Sequence, residues 1–134
     1  MRNYRVSEAA ALLGVSDDTV RRLVDSGQVP AETDSAGRLT IPGPDLAAYA
    51  ESRPQAAEDP FGGALSARNR LTGIVTEVRT DGVMGQVQLR CGPHRITSLI
   101  SADSVRDLGL EPGALAVAVI KATTVIIESE GAAE

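Results

Sequence analysis

The chain has 134 residues, 43% of them hydrophobic and only 2% aromatic, with 13 Lys and Arg against 18 Asp and Glu and a net charge of −5. No apolar run of about 18 residues occurs, which excludes a membrane-spanning helix. The single cysteine, Cys91, excludes an intrachain disulfide framework and a cysteine-based zinc cluster.

The acidic balance argues against bulk, charge-driven association with nucleic acid, so any DNA contact must come from a local face. Even residues 1–53 hold 6 Arg against 8 acidic side chains. Met1-Arg2-Asn3-Tyr4 lacks the apolar core of a signal peptide, and a reducing, cytoplasmic compartment is the expectation. The length suits one domain or two small ones. Small domains bury a lower fraction of their surface, which predicts association of chains into a homo-oligomer.

In chain order, Val6 to Leu13 predicts a first helix with Ser7 as N-cap and Ala10, Leu12 and Leu13 on its buried face. Gly14 ends it. Ser16 caps a second helix, with Asp17 and Asp18 at the positive end of its dipole and Val20, Leu23 and Val24 pointing inward at i, i+3, i+4 spacing. Gly27 closes that helix, and two helices joined by a Gly-containing turn form a helix-turn-helix. Val29 to Ile41 reads as a small hairpin, or wing, around an Asp34–Gly37 turn. Pro44 to Ala50 starts a third helix with Leu46 and Tyr49 toward the core. Pro54 to Ala64, with Pro60 and the pair Gly62-Gly63, reads as a linker.

After Leu65 the period becomes that of strands. Leu71–Arg79 is a strand closed by Asp81-Gly82. Val83, Gly85, Val87 and Leu89 alternate with polar residues in a second. Gly92-Pro93 turns the chain into a third, Arg95–Ile100. Ser104–Leu110 reads as a short helix capped by Asp103 or Ser104, and Ala114–Lys121 and Thr123–Glu128 as the last strands. The expected class is α+β. A small winged helix-turn-helix occupies residues 1–53, a linker 54–64, a closed OB-type β-barrel with one short helix 65–129, and a frayed tail 130–134.

The second helix of a helix-turn-helix enters the major groove, with flanking cations on phosphates. Ser16, Asp18, Thr19, Arg21 and Arg22 stand near its start, and Arg38 at the wing tip. Tyr4–Leu23, followed by Ser26-Gly27-Gln28-Val29-Pro30 and Gly37-Arg38, resembles the MerR and excisionase type of winged helix-turn-helix. That resemblance implies binding to double-stranded DNA, usually as a dimer or side-by-side array. No long dimerisation coiled coil follows, so a dimer contact must come from elsewhere.

Of the 13 cationic residues only Lys121 is lysine. It opens Lys121-Ala122-Thr123, and a second cationic, hydroxyl-bearing run is Ser66-Ala67-Arg68. A third polar cluster, Ser101-Ala102-Asp103-Ser104, opens the short helix. Cations beside hydroxyls and free backbone N–H groups are what a small multivalent oxyanion needs. Asp103 repels an anion unless its side chain turns away or caps the helix. These three runs, in this order, resemble a molbindin, or TOBE, domain across nearly all of residues 65–128. The resemblance implies an OB-like barrel that binds molybdate or tungstate at subunit interfaces. The matching positions are Ser66, Ala67 and Arg68; Ser101, Ala102 and Ser104; and Lys121, Ala122 and Thr123, with backbone N–H groups acting at the alanines.

His94 has no neighbouring ligand types and is expected exposed and inert, and Cys91 half-buried at a strand end. No triad, P-loop or dinucleotide fingerprint occurs, so no enzyme is expected. A molybdate- or tungstate-responsive DNA-binding regulator is the leading expectation. A storage or buffering molbindin whose helical part serves assembly is the alternative, and a DNA-binding protein whose barrel has lost its ligand is a third.

Overall fold

A computed structural model describes residues 2–54, 59–62 and 68–131. The chain divides into two compact units, Met1–Gln55 and Ala56–Glu134. Much of the expected linker (55–58 and 63–64), the anion-motif residues Ser66 and Ala67, and the end of the expected tail (132–134) lie outside the described residues.

The first unit begins with strand β1 (Asn3–Arg5), which sequence reasoning missed, and runs directly into helix α1 (Val6–Leu13). The N-cap of α1 is Arg5, not Ser7. The Glu8 carboxylate reaches back to accept the Arg5 N–H at 3.0 Å, and that bond pulls the Glu8 pKa down. The buried face of α1 is Val6, Ala9 and Ala10, whereas Leu12 is exposed. Val6, Ala9, Ala10 and Leu13 share one inward stripe at i, i+3, i+4, i+7 spacing, and Leu12 lies about 100° around the helix from Leu13. Gly14, at φ 71°, takes the left-handed position that lets the Val15 N–H close on the Ala10 carbonyl at 3.0 Å.

Helix α2 (Asp17–Asp25) starts at Ser16, whose hydroxyl accepts the Thr19 N–H at 3.1 Å. Strands β2 (Glu32–Thr33) and β3 (Leu39–Pro42) flank the Asp34–Gly37 turn, and α3 (Gly43–Ser52) follows. The three strands form one antiparallel sheet in the order β1-β3-β2. Val20, Val29 and Ile41 are its most fully buried large side chains. Each adds about 1.5–3 kcal/mol, which makes aliphatic packing the main support of so small a unit.

The second unit is a four-stranded antiparallel sheet, order β6-β5-β4-β7, built from β4 (Asn69–Thr80), β5 (Met84–Cys91), β6 (His94–Ser101) and β7 (Leu115–Ile120). A bulge between Val75 and Glu77 bends β4. Val75, Val87 and Leu89 form the centre of the inner face, and Val105 of the short helix α4 (Ala102–Asp107) packs on it.

Val83 precedes β5 and is exposed; Gly85, Val87, Leu89 and Cys91 form the inward series. The cap of α4 is Ser101, which accepts the Ser104 N–H at 3.1 Å. Cys91 is not half-buried but buried, 6% exposed. His94 is the exposed first residue of β6. The segment expected as a last strand is instead a 3-10 turn, Ala122–Thr124, followed by a stretch that joins no strand among the described residues, in which Ile126 and Ile127 are 93% and 83% exposed. Among the described residues β7 does not pair with β6, so the sheet is a curled half-barrel with two edges rather than a closed barrel.

Candidate functional site

The candidate residues fall into two groups, one in each unit. In the half-barrel, Asn69 pairs with Ile120. Arg68 precedes β4 and Lys121 follows β7, so this pairing brings the two cations to one end of the sheet. Both are exposed. The turn after Lys121 is held by the Thr124 N–H and hydroxyl, which donate to the Lys121 carbonyl at 3.0 and 2.8 Å. A 3-10 turn leaves its first amides outside its own bonds, and here those belong to Ala122 and Thr123.

The third cluster lies elsewhere. Ser101 pairs with Met84, and Gly85 pairs with Thr80, so Ser101 sits beside the far end of β4. At about 3.3 Å per residue, the twelve residues of β4 run on the order of 35 Å along the strand. One chain therefore brings Arg68, Lys121, Ala122 and Thr123 together but holds Ser101, Ala102 and Ser104 away from them. The Ser101 hydroxyl donates to the Ser104 hydroxyl at 2.9 Å, leaving the Ser104 proton for another acceptor. The Ala102 N–H, expected to face an anion, already donates to the Val83 carbonyl at 2.8 Å. Asp103 turns away to pair with Arg106, as an anion seat requires.

A concave apolar groove of about 590 Å³ occupies the inner side of the half-barrel, lined by Phe61, Leu89, Ile96, Ile100, Ala118 and Ile120 among others. Beside it, Asp59 pairs with Arg70 and accepts the Phe61 and Gly62 N–H groups, each at 3.1 Å.

In the first unit, Arg21 and Arg38 line a cleft of about 470 Å³ together with Arg5, Ser7 and Asp17. Arg38 is oriented by Asp34, which accepts its Nε–H at 3.0 Å and its backbone N–H at 2.8 Å; these bonds lower the Asp34 pKa. Arg22 does not join the cleft; it reaches back toward the Thr19 hydroxyl at 3.4 Å, which in turn bonds the Ser16 hydroxyl at 2.9 Å. Asp18 is exposed. Sequence reasoning missed Arg5 and Ser7, because a helix start at Ser7 put both outside the face considered.

A TOBE domain model matches residues 65–127, and a helix-turn-helix domain model matches residues 4–54. Molybdenum-pterin-binding protein 1 of Clostridium pasteurianum is 45% identical over 65 residues, covering 48% of this chain and 96% of that protein. The chain belongs to the TOBE family. The TOBE unit is also 38% identical over 68 residues to the molybdenum transport protein ModE of Azotobacter vinelandii, covering 50% of this chain and 25% of ModE. Among solved structures, MopII from Clostridium pasteurianum aligns with a TM-score of 0.46 at 43% identity, over 49% of this chain and all of that one (100%). All three donor clusters fall within the TOBE match, and the arginine-lined cleft falls within the helix-turn-helix match.

Proposed function

We propose that the protein is a molybdate-responsive DNA-binding regulator, in which the oxyanion, molybdate or tungstate, is held where half-barrels of different protomers meet. The observation that carries this reading is the split donor set: Arg68 and Lys121 at one end of β4, Ser101 and Ser104 at the other. A complete seat needs one end from one chain and the other end from another. The groups are all donors, two cations with hydroxyls and turn amides, and the nearby Asp103 carboxylate is committed to Arg106. Such a set fits a tetrahedral dianion.

Open edges at β6 and β7, the apolar groove and the exposed Ile126-Ile127 segment support assembly of half-barrels. The attached helix-turn-helix of the winged, MerR-like type supplies the output. Anion binding shifts operator affinity because the assembled and dissociated states differ in anion affinity, and coupling of this kind is reciprocal. A storage role is favoured instead by the acidic balance of residues 1–53, 8 acidic side chains against 6 Arg.

Isothermal calorimetry of the full chain with molybdate, repeated in excess sulfate, tests the ligand. Tight binding that survives sulfate is expected, with one anion per chain, since each chain supplies one end to each of two shared seats. Lys121→Ala or Arg68→Ala weakens it about tenfold or more, since hydrogen bonds to charged groups contribute about 1.5–3 kcal/mol. Absence of heat from the wild-type chain eliminates the oxyanion reading. Selection of duplexes from a random pool, with and without molybdate, separates regulator from store: a store retains the anion and enriches no sequence.

A further inference from the structure

In an acidic unit, a DNA contact requires that cations be gathered in one place. Residues 1–53 contain 6 arginines, and 3 of them, Arg5, Arg21 and Arg38, line the one cleft described above. They come from three separate elements: Arg5 from the β1–α1 junction, Arg21 from α2 and Arg38 from the wing turn. Asp17 lines the cleft as well and Asp34 pairs with Arg38, so three guanidiniums stand against two carboxylates and the cleft keeps a net positive charge. Arg38 is held through its Nε, the inner nitrogen of its fork.

We propose that this cleft seats a single DNA backbone phosphate, and that Arg5 is the residue that fixes the register of the duplex against helix α2 and the wing. The inference rests on the DNA-binding reading above and adds to it a residue and a role. A guanidinium fork matches the geometry of phosphate oxygens, and three forks from three directions define one position rather than a diffuse attraction. Ser7, on the same wall, adds a hydroxyl donor. Contacts to phosphate position a protein without reading sequence. Arg5 therefore acts equally on every duplex.

The test uses the full chain and two fluorescent duplexes, one of random sequence and one enriched by selection, titrated by anisotropy over a range of salt concentrations. Arg5→Ala is expected to weaken binding about tenfold on both duplexes. Its plot of log affinity against log salt should be shallower by about 0.9, the value for one lost phosphate contact. Arg5→Lys keeps the wild-type slope. Arg90→Ala, which removes an exposed charge from the half-barrel, leaves slope and affinity unchanged. The Glu8 cap uses the Arg5 backbone rather than its side chain, so the substitution spares the helix start; if Arg5→Ala loses its cooperative melt, Arg5→Gln takes its place. Wild-type affinity and slope in the Arg5 variant overturn the proposal, as does an equal effect of Arg90→Ala or a loss confined to the selected duplex. If the wild-type chain binds neither duplex, the DNA-binding reading falls with it, whereas a binding wild type with an indifferent Arg5 removes this inference alone.

Discussion

Asp59 is joined to the half-barrel through one carboxylate. Its pairing with Arg70, and the N–H groups of Phe61 and Gly62, pull its pKa from the ordinary 3.8 to about 2. A depressed pKa in the folded state stabilises the fold above the unfolded value and loses that contribution as pH falls through the folded one. The stabilisation is therefore complete above 3.8 and disappears toward about 2. Replacing the acid by Asp59→Asn should flatten the acid limb of a urea-midpoint against pH curve within that window, while lowering the midpoint at neutral pH. Parallel curves for the two proteins would show that the pair does not contribute. Arg70 Nη1 is buried and has no hydrogen-bond partner among the described residues. Its side chain is only 19% exposed, so removing the Asp59 charge leaves a cation with little water to replace it.

Among the elements, β4 and β5 approach too closely at Gly73 to admit a side chain. A Cβ there would lie 2.6 Å from Cys91 Sγ and would run into the Arg90 carbonyl. Glycine is required at this point by the approach of two strands, not by its backbone angle. Gly73→Ala should destabilise the half-barrel by about 1–3 kcal/mol in chemical denaturation. Gly62→Ala, with open space around it, should stay within about 0.5 kcal/mol of wild type. Equal stability of the two variants would refute the close-packing account. The elements read best from sequence were those specified locally. Ser16 capping α2, Gly14 and Gly27 closing helices, and the Asp34–Gly37 wing turn each depend on residues a few positions apart. What sequence could not supply was pairing. β1 is a three-residue polar strand that exists only because β3, far along the chain, bonds to it. Val125-Ile126-Ile127 has the composition of a strand but no strand neighbour among the described residues, and a strand is made by its partner. The candidate site divides in the same way. The residue types in the three donor runs were visible, but their placement at opposite ends of β4 follows from register, and Arg5 entered only with the cleft.

At the scale of the whole molecule, the exposed apolar surface is what the proposed assembly would cover. Ile126 and Ile127 are exposed, and among the described residues β6 and β7 each have one unpaired edge. The double substitution Ile126→Asp with Ile127→Asp should give a smaller species in sedimentation velocity and abolish molybdate binding, because the seat would no longer be completed by a second chain. The melt of the helix-turn-helix unit should be unchanged. A variant that sediments like wild type would show that this segment is not part of the contact. Molybdate binding retained by a dissociated variant would contradict the shared seat instead.

The close approach at Gly73 also gives the chain an internal clock. Cys91 is its only thiol, shut behind β4, and burial pushes its pKa up, so the reactive thiolate is suppressed as well as hidden. An alkylating reagent added to the native protein can react only during moments when β4 and β5 part. Each molecule takes up a single label, so the time course by mass counts those openings directly. Run with and without an oxyanion, the same time course registers how firmly the ligand holds the two strands together, with no probe introduced into the protein.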